Sequence, residues 1–288
     1  MKRRNRGAHI SQTPRLIRFK GEVLELTDKT LAEGVAELSR RDPHLARVIQ
    51  RHGAPPLWDR APGFQTLVQI ILEQQVSLAS GRAAYARLET VAGEVTPGSV
   101  AALDDALLQG AGLTRQKVSY IRGLAQAIVA GEFDPSALAY LDDDAARTAL
   151  IKLRGVGLWT ADIYLLMALG RADIWPAGDL ALVAAMREVK RMRSLPSADR
   201  VERITRAWSP WRAVAARVLW HHYLSTPRTR GTVSAAKPSS RRTPAPSRRP
   251  APKGPRSVRR STKPSRAKAA AASSRSMART PRGGRTRV

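Results

Sequence analysis

Apolar positions along the middle of the chain recur at helical spacing. Phe64, Leu67, Val68, Ile71, Leu72 and Gln75 follow the i, i+3, i+4, i+7 pattern of one helix face, and Pro62-Gly63 supplies the break before them. The same pattern predicts helices over Lys29 to Ser39, His44 to His52, Ser77 to Glu89, Ser99 to Leu108, Arg115 to Val129 and Asp143 to Leu150. Further helices are predicted over Leu158 to Leu169, Leu180 to Arg191, Ser197 to Trp208 and Trp211 to Leu224. Gly110-Ala111-Gly112 and Gly131-Glu132-Phe133-Asp134-Pro135 read as loops. Strand-like alternation is confined to Leu16 to Leu26. The fold class expected is all-α.

Composition changes the picture at the two ends. Ser225 to Val288 holds 19 Lys/Arg and no acid, and Met1 to Lys20 holds 7 Lys/Arg and no acid. Between them the charges nearly cancel, so almost all of the net +27 lies in two end segments. The C-terminal segment is rich in Pro, Arg, Ser, Ala, Thr and Lys and has too little apolar surface to offset ordering, so disorder is expected there. The predicted organisation is a basic arm over 1–27, a helical domain over 28–224 and a basic tail over 225–288. Both ends favour polyanions through phosphate neutralisation.

Other classes are excluded or disfavoured. With no cysteine there can be no disulfide, Cys-ligated zinc or Cys-ligated iron–sulfur cluster. Apolar runs fall far short of the roughly 20 residues of a membrane helix, and Lys2-Arg3-Arg4 is not followed by the apolar stretch of a signal peptide. The histidines, His9, His44, His52, His221 and His222, form no metal-ligand spacing, and Asp142-Asp143-Asp144 reads as a helix cap with Arg147 one turn on. A soluble, intracellular protein with no metal site is expected.

One stretch carries chemistry. In Leu153-Arg154-Gly155-Val156-Gly157-Leu158-Trp159-Thr160-Ala161-Asp162 a helix ends near Arg154, two glycines turn the chain, and an apolar helix begins. Amides at such a helix start favour an anion, with Gly allowing close approach. An ordinary helix–helix turn has the same look.

Three segments together are more specific: Leu153 to Ala161, Asp173-Ile174-Trp175-Pro176-Ala177-Gly178-Asp179-Leu180-Ala181-Leu182, and Ile70-Ile71-Leu72-Glu73-Gln74-Gln75-Val76-Ser77. With Trp208-Ser209-Pro210-Trp211-Arg212 and Leu219-Trp220-His221, they resemble the helix-hairpin-helix DNA glycosylases, in the 3-methyladenine glycosylase II (alkylpurine) branch, over roughly Ala32 to Leu224. The resemblance implies a two-lobed helix-hairpin-helix domain with a cleft holding a catalytic aspartate, Asp179. An ionised carboxylate there would stabilise positive charge on the sugar or orient a water; Gly178-Asp179 before Leu180 is equally a helix N-cap.

The resemblance also implies hairpin contacts to DNA phosphate through Gly155, Val156, Gly157 and Thr160. It implies a base pocket with Trp159 and Trp220, whose faces attract a cationic purine. Ile163 stands where the family pocket carries a tyrosine, and Gly178 where an acid precedes the aspartate, which leaves substrate breadth open. Trp159 takes the place of the nucleophilic lysine of the strand-cutting members, and tryptophan forms no Schiff base; a monofunctional enzyme follows. Gln74 and Gln75 fall on the loop that fills the hole left by the flipped base. Trp175 lies near Asp179 in sequence; Trp58, Trp208 and Trp211 are assigned to packing.

The function expected is removal of alkylated purines (3-methyladenine and 7-methylguanine type) from damaged duplex DNA, by a monomer in the cytoplasm, associated with the nucleoid. No organic cofactor is expected; a monovalent cation on hairpin carbonyls would fit the family. Two rivals stand beside it, a non-catalytic damage-binding protein and a glycosylase for another lesion such as hypoxanthine.

Overall fold

The computed structural model describes residues 23–226. Twelve α-helices occur among the described residues: α1 (Asp28–Arg41), α2 (Pro43–His52), α3 (Phe64–Glu73), α4 (Leu78–Ala92), α5 (Pro97–Ala102), α6 (Asp105–Gly110), α7 (Arg115–Val129), α8 (Asp143–Ile151), α9 (Leu158–Met167), α10 (Leu180–Val189), α11 (Ala198–Arg206) and α12 (Arg212–Ser225). A 3-10 turn, Pro135–Tyr140, precedes α8. The predicted tail and most of the predicted arm lie outside the described residues.

Two sets of helices pack among themselves. The chain's N-terminal α1 and α2 join the late helices α10 and α12, while α3 packs on α4, α7 and α9, with α5 and α6 on α7 and α8 on α9. The first lobe is therefore closed by residues far apart in sequence, and the second by one continuous stretch. Close approach of α1 to α12 depends on Gly34, where an added Cβ would stand 2.7 Å from the Trp211 ring.

Buried polar groups tie the lobes together. Arg217 of α12 is fully buried. Its guanidinium donates to Leu57 O (2.7 Å) and Leu166 O (2.9 Å), so one side chain holds α12, the segment before α3 and the end of α9. Burial pulls its pKa down to about 10. The Tyr164 hydroxyl in α9 accepts from Gly63 N–H (2.9 Å), at the start of α3.

Four sequence expectations need correction. The helix over Ser99 to Leu108 is two, because Leu103 is extended and Asp104 caps a new helix through Leu107 N–H (2.7 Å). The helix before the hairpin ends at Ile151 rather than Arg154. The loop over 131–135 leads into the 3-10 turn, which Asp134 caps. Of the strand-like stretch, the described part forms a single antiparallel bridge, Glu25 to Arg171. There Leu26 N–H donates to Gly170 O (2.6 Å) and Ala172 N–H to Leu24 O (3.0 Å). Leu26 is buried, so the end of the predicted arm belongs to the domain.

Candidate active site

The hairpin is the turn from α8 into α9. Val156 N–H donates to Leu153 O (3.1 Å), and Gly155 sits at φ +86° with the Tyr120 ring against it. Gly157 caps α9 without a side-chain bond. The amides of Leu158, Trp159 and Thr160 precede the first bonded amide of the helix, Ala161 to Gly157 O (3.0 Å), which leaves them for an outside acceptor. Val156 and Thr160, both implied in phosphate contact, differ in what they leave available. Val156 has its side chain buried and its amide engaged in the turn. The Thr160 hydroxyl is buried and accepts from Gln74 Nε2 (2.8 Å), while its backbone N–H is among the free amides that open α9.

Asp179 lies at the N-cap of α10 and is buried at 8% exposure. Oδ1 accepts from Leu182 N–H (2.8 Å) and from the Trp220 indole (3.4 Å). Oδ2 accepts from the Trp159 indole (3.1 Å). Three donors and no acceptor suit an acceptor-only carboxylate. The structure thus brings together Asp179, Trp159 and Trp220 from α10, α9 and α12. Ile163 shares a helix face with Trp159 and is buried, 4% exposed. Leu180, next to Asp179, is 61% exposed.

Two carboxylates hold the loop that delivers Asp179. Asp173 accepts from Arg212 Nε (2.9 Å) and Nη2 (3.2 Å) and from the Ser209 hydroxyl (2.8 Å). Asp162 accepts from Arg147 Nε (2.7 Å) and from the backbone N–H of Ala177. Burial raises the Asp162 carboxyl above the usual carboxylate range against the opposing pull of Arg147. Gly178, at φ +80°, completes the turn.

The loop between α3 and α4 separates the two glutamines. Gln74, one of the two implied wedge residues, points inward, with Nε2 donating to Gly155 O (2.9 Å) and Thr160 Oγ1 (2.8 Å). Gln75 is exposed in the left-handed region, φ +58°, with Val76 and Leu78 exposed beyond it. Lys117 of α7 donates from Nζ to Leu72 O (2.6 Å) and Gln74 O (3.1 Å). Burial of that ammonium lowers its pKa.

Sequence reasoning missed several contacts made by distant residues. His52, His221 and His222 cluster, with His52 to His222 ring centroids 5.6 Å apart, and Trp58 meets His221 edge-on at 6.2 Å. Asp42, the N-cap of α2, accepts from Lys190 Nζ (2.5 Å) and the Trp208 indole (2.8 Å). Trp175 packs on Trp208. Among the described residues no group of three or more His, Cys, Asp or Glu is placed to hold a metal ion. A cavity of about 280 Å³ between α3 and α4 is lined by Arg60, Glu73, Arg82, Tyr85 and their neighbours, apart from these residues.

Comparison with known proteins agrees with this architecture. Residues 68–210 match the HhH-GPD superfamily of base excision DNA repair proteins. A Bacillus subtilis protein provisionally named DNA-3-methyladenine glycosylase YfjP is 25% identical over 184 residues, 61% of this chain and 64% of that protein. The chain therefore spans somewhat less than two thirds of that relative's length. DNA-3-methyladenine glycosylase 1 of Schizosaccharomyces pombe is 22% identical over 200 residues, 68% of this chain and 88% of that one. The structure of the S. pombe 3-methyladenine DNA glycosylase with abasic DNA shares the fold, with TM-score 0.60 and 21% identity over 65% of this chain and 95% of that one. The DNA-3-methyladenine glycosidase of Bacillus halodurans aligns with TM-score 0.58 and 25% identity, covering 71% of this chain and 93% of that one. On its hairpin, its helical order and the matched family model, the chain belongs to the HhH-GPD superfamily of base excision DNA repair proteins.

Proposed function

We propose that this protein is a monofunctional DNA glycosylase that removes alkylated purines from duplex DNA. The observation that carries the reading is one buried carboxylate, Asp179, met by the indole N–H groups of Trp159 and Trp220 at the start of a helix. A flipped cationic purine would find two electron-rich rings beside the carboxylate. As the bond from C1′ to the base nitrogen breaks, its electron pair leaves with the base and positive charge develops on the sugar. Asp179 stabilises that charge at short range in a water-poor site, and water completes the reaction at C1′. One proton of that water is released, and an abasic site remains.

Trp159 offers no amine, so no covalent link to the sugar forms there and the strand stays intact. The amides opening α9 would grip a phosphate near the flipped nucleotide. A monovalent cation on the hairpin carbonyls would have to do without full use of Gly155 O, which already accepts from Gln74. The names of the relatives, DNA-3-methyladenine glycosylases of two organisms, support the same substrate class.

The test uses duplexes carrying one 3-methyladenine analogue, 7-methylguanine or hypoxanthine, with wild type and Asp179→Asn. Strand breaks that need alkali, made by wild type and lost in the variant, are the expected result. Breaks without alkali would overturn the assignment of Trp159, and damage-selective binding without base release would make the protein a sensor.

A further inference from the structure

Gln75 occupies a backbone conformation that a residue with a Cβ adopts at a cost, φ +58°, and it does so on an exposed loop. Such strain persists only where the surroundings over-determine it. Both flanks of this loop are held by contacts from distant segments. Gln74 Nε2 reaches two hairpin acceptors, and because Gly155 O can only accept, the orientation of the Gln74 amide is fixed. Lys117 Nζ meets the carbonyls of Leu72, in the last turn of α3, and of Gln74, its C-cap, where a cation also complements the helix end.

We propose that Gln74 and Lys117 are positioning residues that lock the Gln75 loop to the hairpin, so that insertion into the base stack and grip on the backbone move as one body. The inference rests on the glycosylase reading and adds to it the device that delivers the inserted residue. Without Gln74 the hairpin and the loop lose their shared hydrogen bonds. Without Lys117 the loop loses the anchor that holds Gln74 O, and Gln75 is free to relax from the left-handed region. The loss then falls on extrusion of the base, which needs a fixed entry geometry. Cleavage at C1′ depends on Asp179, on a different element.

The experiment uses the full chain and one lesion, 7-methylguanine, in two settings. One is a fully paired duplex; the other is a small unpaired bubble where little stacking opposes extrusion. Release is measured in single turnover, and flipping by 2-aminopurine fluorescence beside the lesion. Gln74→Leu, which keeps the bulk and removes the donors, is expected to lose about tenfold to a hundredfold on the paired duplex and less than about threefold on the bubble. Lys117→Met is expected to move the same way, with Lys117→Arg restoring most of the loss. Equal losses on both substrates, or none on either, would overturn the inference. Release that survives Asp179→Asn would overturn only the role assigned to Asp179, whereas absence of release by wild type would overturn the glycosylase reading. In that case the fluorescence of wild type against Gln74→Leu still decides whether the brace exists.

Discussion

Replacing Gly155 by alanine separates two costs that the hairpin geometry imposes. At φ +86° any Cβ is strained, by about 1–2 kcal/mol. An added Cβ would also lie 2.1 to 2.6 Å from three ring carbons of Tyr120, so the ring must move, at about 1–3 kcal/mol. Together the substitution is expected to destabilise by about 2–5 kcal/mol, read as the shift in urea unfolding midpoint at constant slope. Gly157 is the internal control. Its φ is −93° and nothing lies within 4 Å of its Cβ position, so Gly157→Ala should stay within about 0.5 kcal/mol of wild type. Gly157→Ala should nevertheless weaken DNA binding, because the added methyl stands where a phosphate would meet the amides of α9. In a double-mutant cycle, Tyr120→Ala should recover the steric part of the Gly155→Ala loss and leave the backbone part. Equal destabilisation by the two glycine variants, or a cycle with no coupling to Tyr120, would refute the reasoning.

Four further outcomes are expected. Trp159→Phe keeps a ring but removes the N–H on Asp179, and should slow base release about tenfold in single turnover; Trp220→Phe, whose bond is longer at 3.4 Å, should cost less. Asp42 titrates below the usual carboxylate range: burial pushes it up, but hydrogen bonds from Lys190 and Trp208 and the Lys190 charge outweigh burial. Its contribution is present above the unfolded pKa and lost as pH falls through the folded one, so the gap in Tm between wild type and Asp42→Asn should narrow below about pH 4. Asp162 has the opposite sign, its pKa being raised by burial, so its contribution weakens as pH rises from the unfolded value through the folded one; Asp162→Asn should remove that slope in a pH series of unfolding curves. Removing residues 227–288 takes away 19 Lys/Arg and no acid, and should flatten the dependence of log affinity on log salt for undamaged duplex.

The helices were legible because their apolar faces repeat, and Leu38, Leu67, Ile71, Ile121 and Leu219 all lie in the core at 0% exposure. Boundaries failed where capping chemistry outweighed periodicity, as at Asp104. Gln74 and Gln75 carry the same side chain, and only tertiary contacts 81 and 86 residues away turn one inward. Those contacts leave no periodic trace. Asp162 reads in sequence as one more position of an apolar helix, with nothing to mark Arg147 as its partner or the Ala177 amide as its second donor. The three histidines near Trp58 come from α2 and α12, whose adjacency follows from lobe closure. Asp179 was visible by composition only as a cap; its place beside two indoles needed the motif resemblance, and the fold brings the three together from three helices.

The capping role of Asp179 and the chemical role proposed for it use different parts of one group, and this affects how its substitution is read. Oδ1 is held by Leu182 N–H and Trp220, Oδ2 by Trp159, so the carboxylate is fixed before any substrate arrives and little reorganisation remains for the reaction. Asparagine is itself a good N-cap and can keep its oxygen on Leu182. Its NH2 then faces the Trp159 N–H, donor against donor, where the aspartate oxygen stood at 3.1 Å. Asp179→Asn would thus remove the charge and also displace a pocket ring. The two effects separate in a Trp159→Phe background, where no indole N–H is left to repel the amide. If the charge is what the reaction needs, Asp179→Asn should abolish release there as fully as in wild type. If release in that background is insensitive to Asp179→Asn, the carboxylate acts only by placing Trp159, and the charge-stabilisation mechanism is wrong.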